Sequence, residues 1–182
     1  MLERFRGPVT ILSLDGGGIR GLIPTLILED IHRRIGEIEA GRTGFAKLLF
    51  GSRDPNPIHR YFDLITGTST GALVALGISS PSRSEEAAAL PLRARPPAYT
   101  LADIRRVYEA EGEEIFPRGG LNHLRSVAQA FEAKYHADSL ERLLERYFGE
   151  AAIGDALTEV IVPAYETVRR RAFFFKRSGS KQ

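Results

Sequence analysis

The sequence predicts an α/β protein, a three-layer α/β/α sandwich with a largely parallel central sheet. Three observations point there. A short apolar run, a glycine-rich turn and an apolar helical pattern follow one another twice in the first half of the 182 residues. Two more β-branched or aromatic runs lie near the end. No internal repeat or linker divides the chain, so residues 1–182 read as one domain.

The elements follow in order. "VTILSL" (9–14), after Gly7-Pro8, reads as a buried strand. The turn "DGGGIRG" (15–21) comes next. "LIPTLILEDIHRRIGEIE" then carries Ile23, Ile27, Ile31, Ile35 and Ile38 at helical spacing. Pro24 sits near its start, where a helix tolerates proline, and Gly41 and Gly44 end it. Residues 51–60 form a polar, proline-containing loop. "YFDLIT" (61–66) is the second strand and "TGALVALGIS" (70–79) a short buried helix. Residues 80–99 hold four prolines and several charges, the composition of a mobile loop of the kind that carries lids or entrances. Thr100 and Asp103 have capping-box spacing and open a helix to about Phe116. "ADSLERLLERYFG" is a third amphipathic helix, ended by Gly149; "TEVIVPAYE" and "RAFFFKR" are strands.

Composition excludes several functions. A net charge of +2 is too mild to indicate nucleic acid, and the cluster Arg169, Arg170, Arg171 reads as solvated surface. With no cysteine there is no disulfide, thiolate metal site or cysteine nucleophile. "MLERFRGPVT" lacks the apolar core of a signal peptide. "FDLITGTSTGALVALGIS" is about long enough to span a bilayer, but Asp63, its threonines and its glycines fit a strand, a turn and a helix better. Membrane contact is therefore expected to be peripheral and the protein cytoplasmic.

Ligands of parallel sheets bind beyond the carboxyl ends of the strands. Both glycine-rich turns, 15–21 and 67–71, lie at such ends and can face one crevice. The second, "GTSTG", matches G-x-S-x-G between an apolar strand and an apolar helix. Gly67, Thr68, Thr70 and Gly71 would let the backbone turn sharply, lifting Ser69 above the sheet at a helix N-terminus, where developing negative charge is favoured. The bland reading is a tight turn with an incidental serine.

In the first turn, Gly16, Gly18 and Gly21 fit G-x-G-x-x-G. A dinucleotide site needs an acid ending a second strand about 20 residues on; here Glu37 and Glu39 still belong to the helix. A P-loop needs Lys-Ser or Lys-Thr after the glycines, and none follows. The remaining use is an oxyanion hole, with backbone N–H groups of Gly16, Gly17 and Gly18 aimed at a transient negative oxygen. Arg20 would hold the loop or offset charge, or else form a surface salt bridge.

"DGGGIRG" followed by "GTSTG" resembles the patatin-like phospholipases. "YTLADIRRVYEAEGEEIFP", "YHADSLERLLERYFG" and "VIVPAYETVRRRAFFFKR" are similar to later family segments, in the family's order. The resemblance implies hydrolysis of acyl esters in phospholipids or other lipids by a Ser–Asp dyad, without metal or cofactor. It implies Ser69 as the nucleophile and Gly16, Gly17, Gly18 and Arg20 as the oxyanion region.

The family's base is the aspartate of a downstream D-G-[GA] motif. The only Asp-Gly pair here, Asp15-Gly16, belongs to the oxyanion loop. Asp155 is followed by Ala and precedes the strand "VIVPAY"; Asp63 reads as structural. His32, His59, His123 and His136 fit neither a Ser-His-Asp order nor metal-ligand spacing and read as solvated or satisfied structural groups. The expectation is an incomplete patatin-like domain, weakly active or inactive alone and marginally stable. The rival expectations are a catalytically dead remnant that binds lipid or a partner and, third, a nucleotide-binding domain.

Overall fold

Four of the apolar runs pair into a single sheet. A computed structural model describes residues 8–42, 57–115 and 137–179. The elements are β1 (Ile11–Leu14), α1 (Leu22–Arg42), β2 (Leu64–Gly67), α2 (Thr70–Ser79), α3 (Glu85–Ala88), α4 (Leu101–Ile115), α5 (Ala137–Phe148), β3 (Glu159–Glu166) and β4 (Arg171–Lys176). The strand order is β1-β2-β3-β4. The first two pairings are parallel and the last is an antiparallel hairpin, so the sheet is mixed but mostly parallel, as expected. His123 and His136 lie outside the described residues.

Asp63 pins the start of the β1–β2 pair. Its carboxylate accepts the Thr10 N–H at 2.8 Å and the Thr10 hydroxyl at 2.9 Å. These bonds favour the charged form and hold its pKa below the ordinary value. The role is structural, as its place in the strand suggests.

α2 is apolar on nearly every side, and the fold gives each side a neighbour. It lies across β1, β2 and β3 and packs against α4. Val74, Ala75 and Ile78 are at most 1% exposed, and they form a core with Leu14, Ile65, Leu101, Ile104 and Tyr108. On the other face of the sheet Ile11 and Ser13 stay exposed, so among the described residues the helical layer is clearest on one side. α4 begins with the expected capping box: Asp103 accepts the Thr100 N–H at 2.9 Å and Thr100 Oγ1 accepts the Asp103 N–H at 3.1 Å. α5 buries Leu143 and stops at Gly149, whose φ of 51° is the left-handed C-cap conformation.

Two readings change. The isoleucines that mark α1 are not its buried side: Ile23, Ile27, Ile31 and Ile38 are exposed, while Gly21, Thr25 and Leu28 face inward. α1 has apolar residues all round its first turns, so periodicity alone does not choose between faces. Contact with α4 does, including the Glu29–Arg105 ion pair at 3.2 Å. Residues 80–99 are a folded excursion rather than a featureless loop. The Ser82 N–H donates to Pro96 O at 2.8 Å, the Ala98 N–H donates to Ser80 O at 2.7 Å, and α3 buries Ala87.

His59 is buried beneath α2 rather than solvated. Burial first, then the Arg60 charge, lowers its pKa from 6.5 to about 4, against a backbone hydrogen bond at Ile78. The unfolded chain takes up this proton near pH 6.5 and the folded chain only near pH 4, so the unfolded state gains as pH falls through that window. We expect Tm to fall between those pH values, and His59→Phe to flatten the fall, measured by circular dichroism melts. Asp63 and Asp103, whose pKa values are held below the ordinary value, act at lower pH.

Candidate active site

The in-register pairing of Leu14 with Gly67 brings both glycine-rich turns to the same end of the sheet. They meet backbone to backbone. A Cβ on Gly71 would stand 2.2 Å from the Leu14 carbonyl oxygen, and one on Gly16 would stand 2.0 Å from that of Thr68 and 2.8 Å from Ser69 Cβ. Only glycine permits that approach at either place.

Ser69 caps α2 with φ 53° and ψ −127°, a conformation side-chain-bearing residues seldom adopt. The strained backbone falls where β2 turns sharply into α2. The side chain is exposed, and its Oγ has no hydrogen-bond partner among the described residues. The N-terminal end of α2, with its unpaired N–H groups, starts at the next residue.

The glycine loop's N–H groups are not equivalent. Gly16 donates to Thr68 Oγ1 at 3.4 Å and Gly17 to Thr70 Oγ1 at 3.1 Å. Both are committed to the threonines that flank Ser69. Gly18, buried and with φ 64°, opens a 3-10 turn (Gly18–Gly21), so its N–H has no acceptor within that turn. The Thr70 N–H, first in α2, is open for the same reason. Gly18 and Thr70 are therefore the N–H groups of the two turns that open a helix rather than bonding within one; no pattern in the sequence singled out Thr70 for this. The Arg20 N–H donates to Gly17 O at 3.3 Å, and its side-chain stem lies against Gly17. Its guanidinium has no ion-pair partner among the described residues, so the surface salt bridge is not formed there.

Tyr108 is a second residue that sequence reasoning missed. It is one aromatic on the apolar side of an amphipathic helix, and nothing in its neighbours signals more. In the fold its hydroxyl donates to the Thr70 carbonyl oxygen at 3.2 Å. Burial pushes its pKa up to about 12, against a hydrogen bond with the Thr70 side chain.

From Ser69 an apolar cleft of about 850 Å³ follows α2. Leu73, Leu76, Phe148, Val162 and Phe175 line it, and Ser80 and Pro81 stand where α2 ends. At helical rise, Ser69 to Ser80 spans roughly 16 Å. The cleft offers an extended apolar chain a lining on several sides, with the serine at the helix N-terminus.

The other candidates lie elsewhere. Asp155 is exposed in a 3-10 turn before β3. His32 makes an edge contact with Tyr61, and His59 is in the core. Arg169 and Arg171 flank Glu166 on the surface, at 3.6 and 3.1 Å. Among the described residues no group of three metal-ligating side chains is assembled, and no helix is long and apolar enough to cross a membrane.

The family model for patatin-like phospholipases matches residues 12–181. Patatin-17 of Solanum cardiophyllum is 31% identical over 171 residues, covering 94% of this chain and 36% of that protein. Patatin-like protein 1 of Oryza sativa subsp. indica is 30% identical over 158 residues, covering 87% and 33%. Patatin-T5 of Solanum tuberosum is 30% identical over 171 residues. The chain thus spans about a third of the length of these curated relatives.

The contact at Gly71 gives a direct test. Gly71→Ala is expected to destabilise the fold by at least about 2 kcal/mol, because backbone must move to admit the methyl group. Urea denaturation followed by circular dichroism would show the midpoint falling with an unchanged slope.

Proposed function

Because this chain belongs to the patatin-like phospholipase family, we propose that it carries the nucleophile and oxyanion side of a lipid acyl hydrolase site. Ser69 attacks the ester carbonyl. The oxyanion so formed takes hydrogen bonds from the N–H groups of Gly18 and Thr70, at the positive end of α2. Arg20, whose guanidinium has no ion-pair partner among the described residues, offsets charge at the loop. Collapse expels the alcohol and leaves an acyl-serine that water hydrolyses. The acyl chain lies in the cleft along α2, against Leu73 and Leu76. The single observation that carries this is the strained, exposed serine at the start of a buried helix, with a glycine loop seated on it.

The proton leaving Ser69 needs an acceptor. The family resemblance assigns that to an aspartate in a D-G-[GA] motif, and we give the role to no described residue. This supports a second reading, lipid binding without turnover, because Ser69 Oγ has no carboxylate or imidazole bonded to it among the described residues. A dinucleotide site is disfavoured. Two of the loop's N–H groups are spent on Thr68 and Thr70, and the space over Gly16 is filled by the elbow.

A fluorophosphonate probe separates these readings. The expected result is covalent labelling of Ser69, lost in Ser69→Ala, with only slow p-nitrophenyl ester hydrolysis by the 182-residue chain. Lipid binding with an unlabelled Ser69 would favour the second reading. The cleft is tested by chain length. Leu76→Trp should weaken p-nitrophenyl laurate while sparing p-nitrophenyl butyrate, at about 0.8 kcal/mol for each methylene displaced. Equal effects on both esters would place the acyl chain elsewhere.

A further inference from the structure

A nucleophile elbow needs small residues beside its serine, but nothing in the turn itself calls for a hydroxyl at the next position. Thr70 nevertheless buries one, with the residue 4% exposed. Its Oγ1 accepts the Gly17 N–H at 3.1 Å. A threonine hydroxyl accepts and donates at once. The same residue's carbonyl oxygen accepts the Tyr108 hydroxyl at 3.2 Å. Thr70 thus ties the glycine loop through its side chain and α4 through its carbonyl. Thr68 makes the matching tie on the other side of Ser69, accepting the Gly16 N–H at 3.4 Å.

We propose that Thr70 is a positioning residue for catalysis: its hydroxyl, on a residue whose carbonyl Tyr108 bonds, seats the glycine loop on the elbow through Gly17 and leaves the Gly18 N–H for the oxyanion. This rests on the acyl-hydrolase reading above. The loop has no side chains of its own at Gly16, Gly17 and Gly18 to hold it in place. Its seat comes from outside, and the two threonines of the elbow provide it. Valine at position 70 would keep the shape, and the carbonyl that Tyr108 bonds, but leave the Gly17 N–H without its side-chain acceptor. Serine would keep the hydroxyl and lose only a methyl group. Tyr108 retains its proton throughout the neutral range, because burial raises its pKa to about 12, so its bond to the Thr70 carbonyl does not open with pH there.

The test is the kinetics of fluorophosphonate labelling of Ser69, resolved into the limiting rate kinact and the binding constant KI. A tetrahedral phosphonyl group forms at the serine and draws on the same donors as an ester. Thr70→Val is expected to lower kinact about tenfold or more with KI changed less than about twofold, and Thr70→Ser to stay within about threefold of the parent kinact. Tyr108→Phe should fall between them. The proposal is overturned if Thr70→Val labels as fast as the parent chain, if Thr70→Ser is as slow as Thr70→Val, or if the loss lies in KI. Should Thr70→Val fail to fold by circular dichroism, Tyr108→Phe decides, and an unchanged kinact sinks the idea. A parent chain unlabelled at Ser69 overturns both this proposal and the acyl-hydrolase reading. Normal labelling with no response to Thr70→Val overturns this proposal alone.

Discussion

The contact between the Leu14 carbonyl and Gly71 sets the position of everything else. It joins the end of β1 to the start of α2 with no side chain between them. The Thr68 N–H also donates to Leu14 O, at 3.1 Å, so one carbonyl both bonds the elbow and abuts the helix that leaves it. With β1 and α2 this close, the chain leaving β1 has one place to go, which is over Ser69. Gly16 occupies it. The sheet register, the elbow and the glycine loop are thus consequences of one close approach rather than three separate designs.

Strain at Ser69 is small beside what holds it. A residue in that backbone region costs about 1–3 kcal/mol. Burying one Val, Leu or Ile side chain contributes about 1.5–3 kcal/mol. Val74 and Ile78 on α2 and Ile65 on β2 are all essentially inaccessible, and each depends on α2 leaving β2 at the angle the elbow sets. Relaxing Ser69 would tilt α2 and open those contacts together. The core therefore outweighs the strain several times over, and the serine is held by packing rather than by bonds to its own side chain.

Much of this was legible in the residues. The two strands that end in glycine-rich turns, each read as six residues and formed over four, the capping box at Thr100 and the bounds of α2 follow from local rules that the fold does not override. Other things were not. The Ile23, Ile27, Ile31 stripe has helical spacing, but spacing gives faces and not the neighbour each face meets; Thr25 and Leu28 are the buried positions instead. The prolines of residues 80–99 indicate a surface segment, but not that its two ends are bonded together. Gly16 and Gly17 look like free donors until Thr68 and Thr70 are seen to consume their N–H groups, a pairing across 52 and 53 residues that no local pattern encodes.

That separation bears on when the two turns come together as the chain folds. Parallel strands cannot be joined by a tight turn, so β1 and β2 must find each other across a long closed loop, at an entropic cost that local contacts do not return. Contacts of this kind form late and slowly in folding. Until they form, Ser69 is an ordinary hydroxyl in a flexible turn, and the glycine loop is chain without a seat. The strained turn and the loop seated on it therefore arrive together, as a property of the completed topology rather than of either local segment.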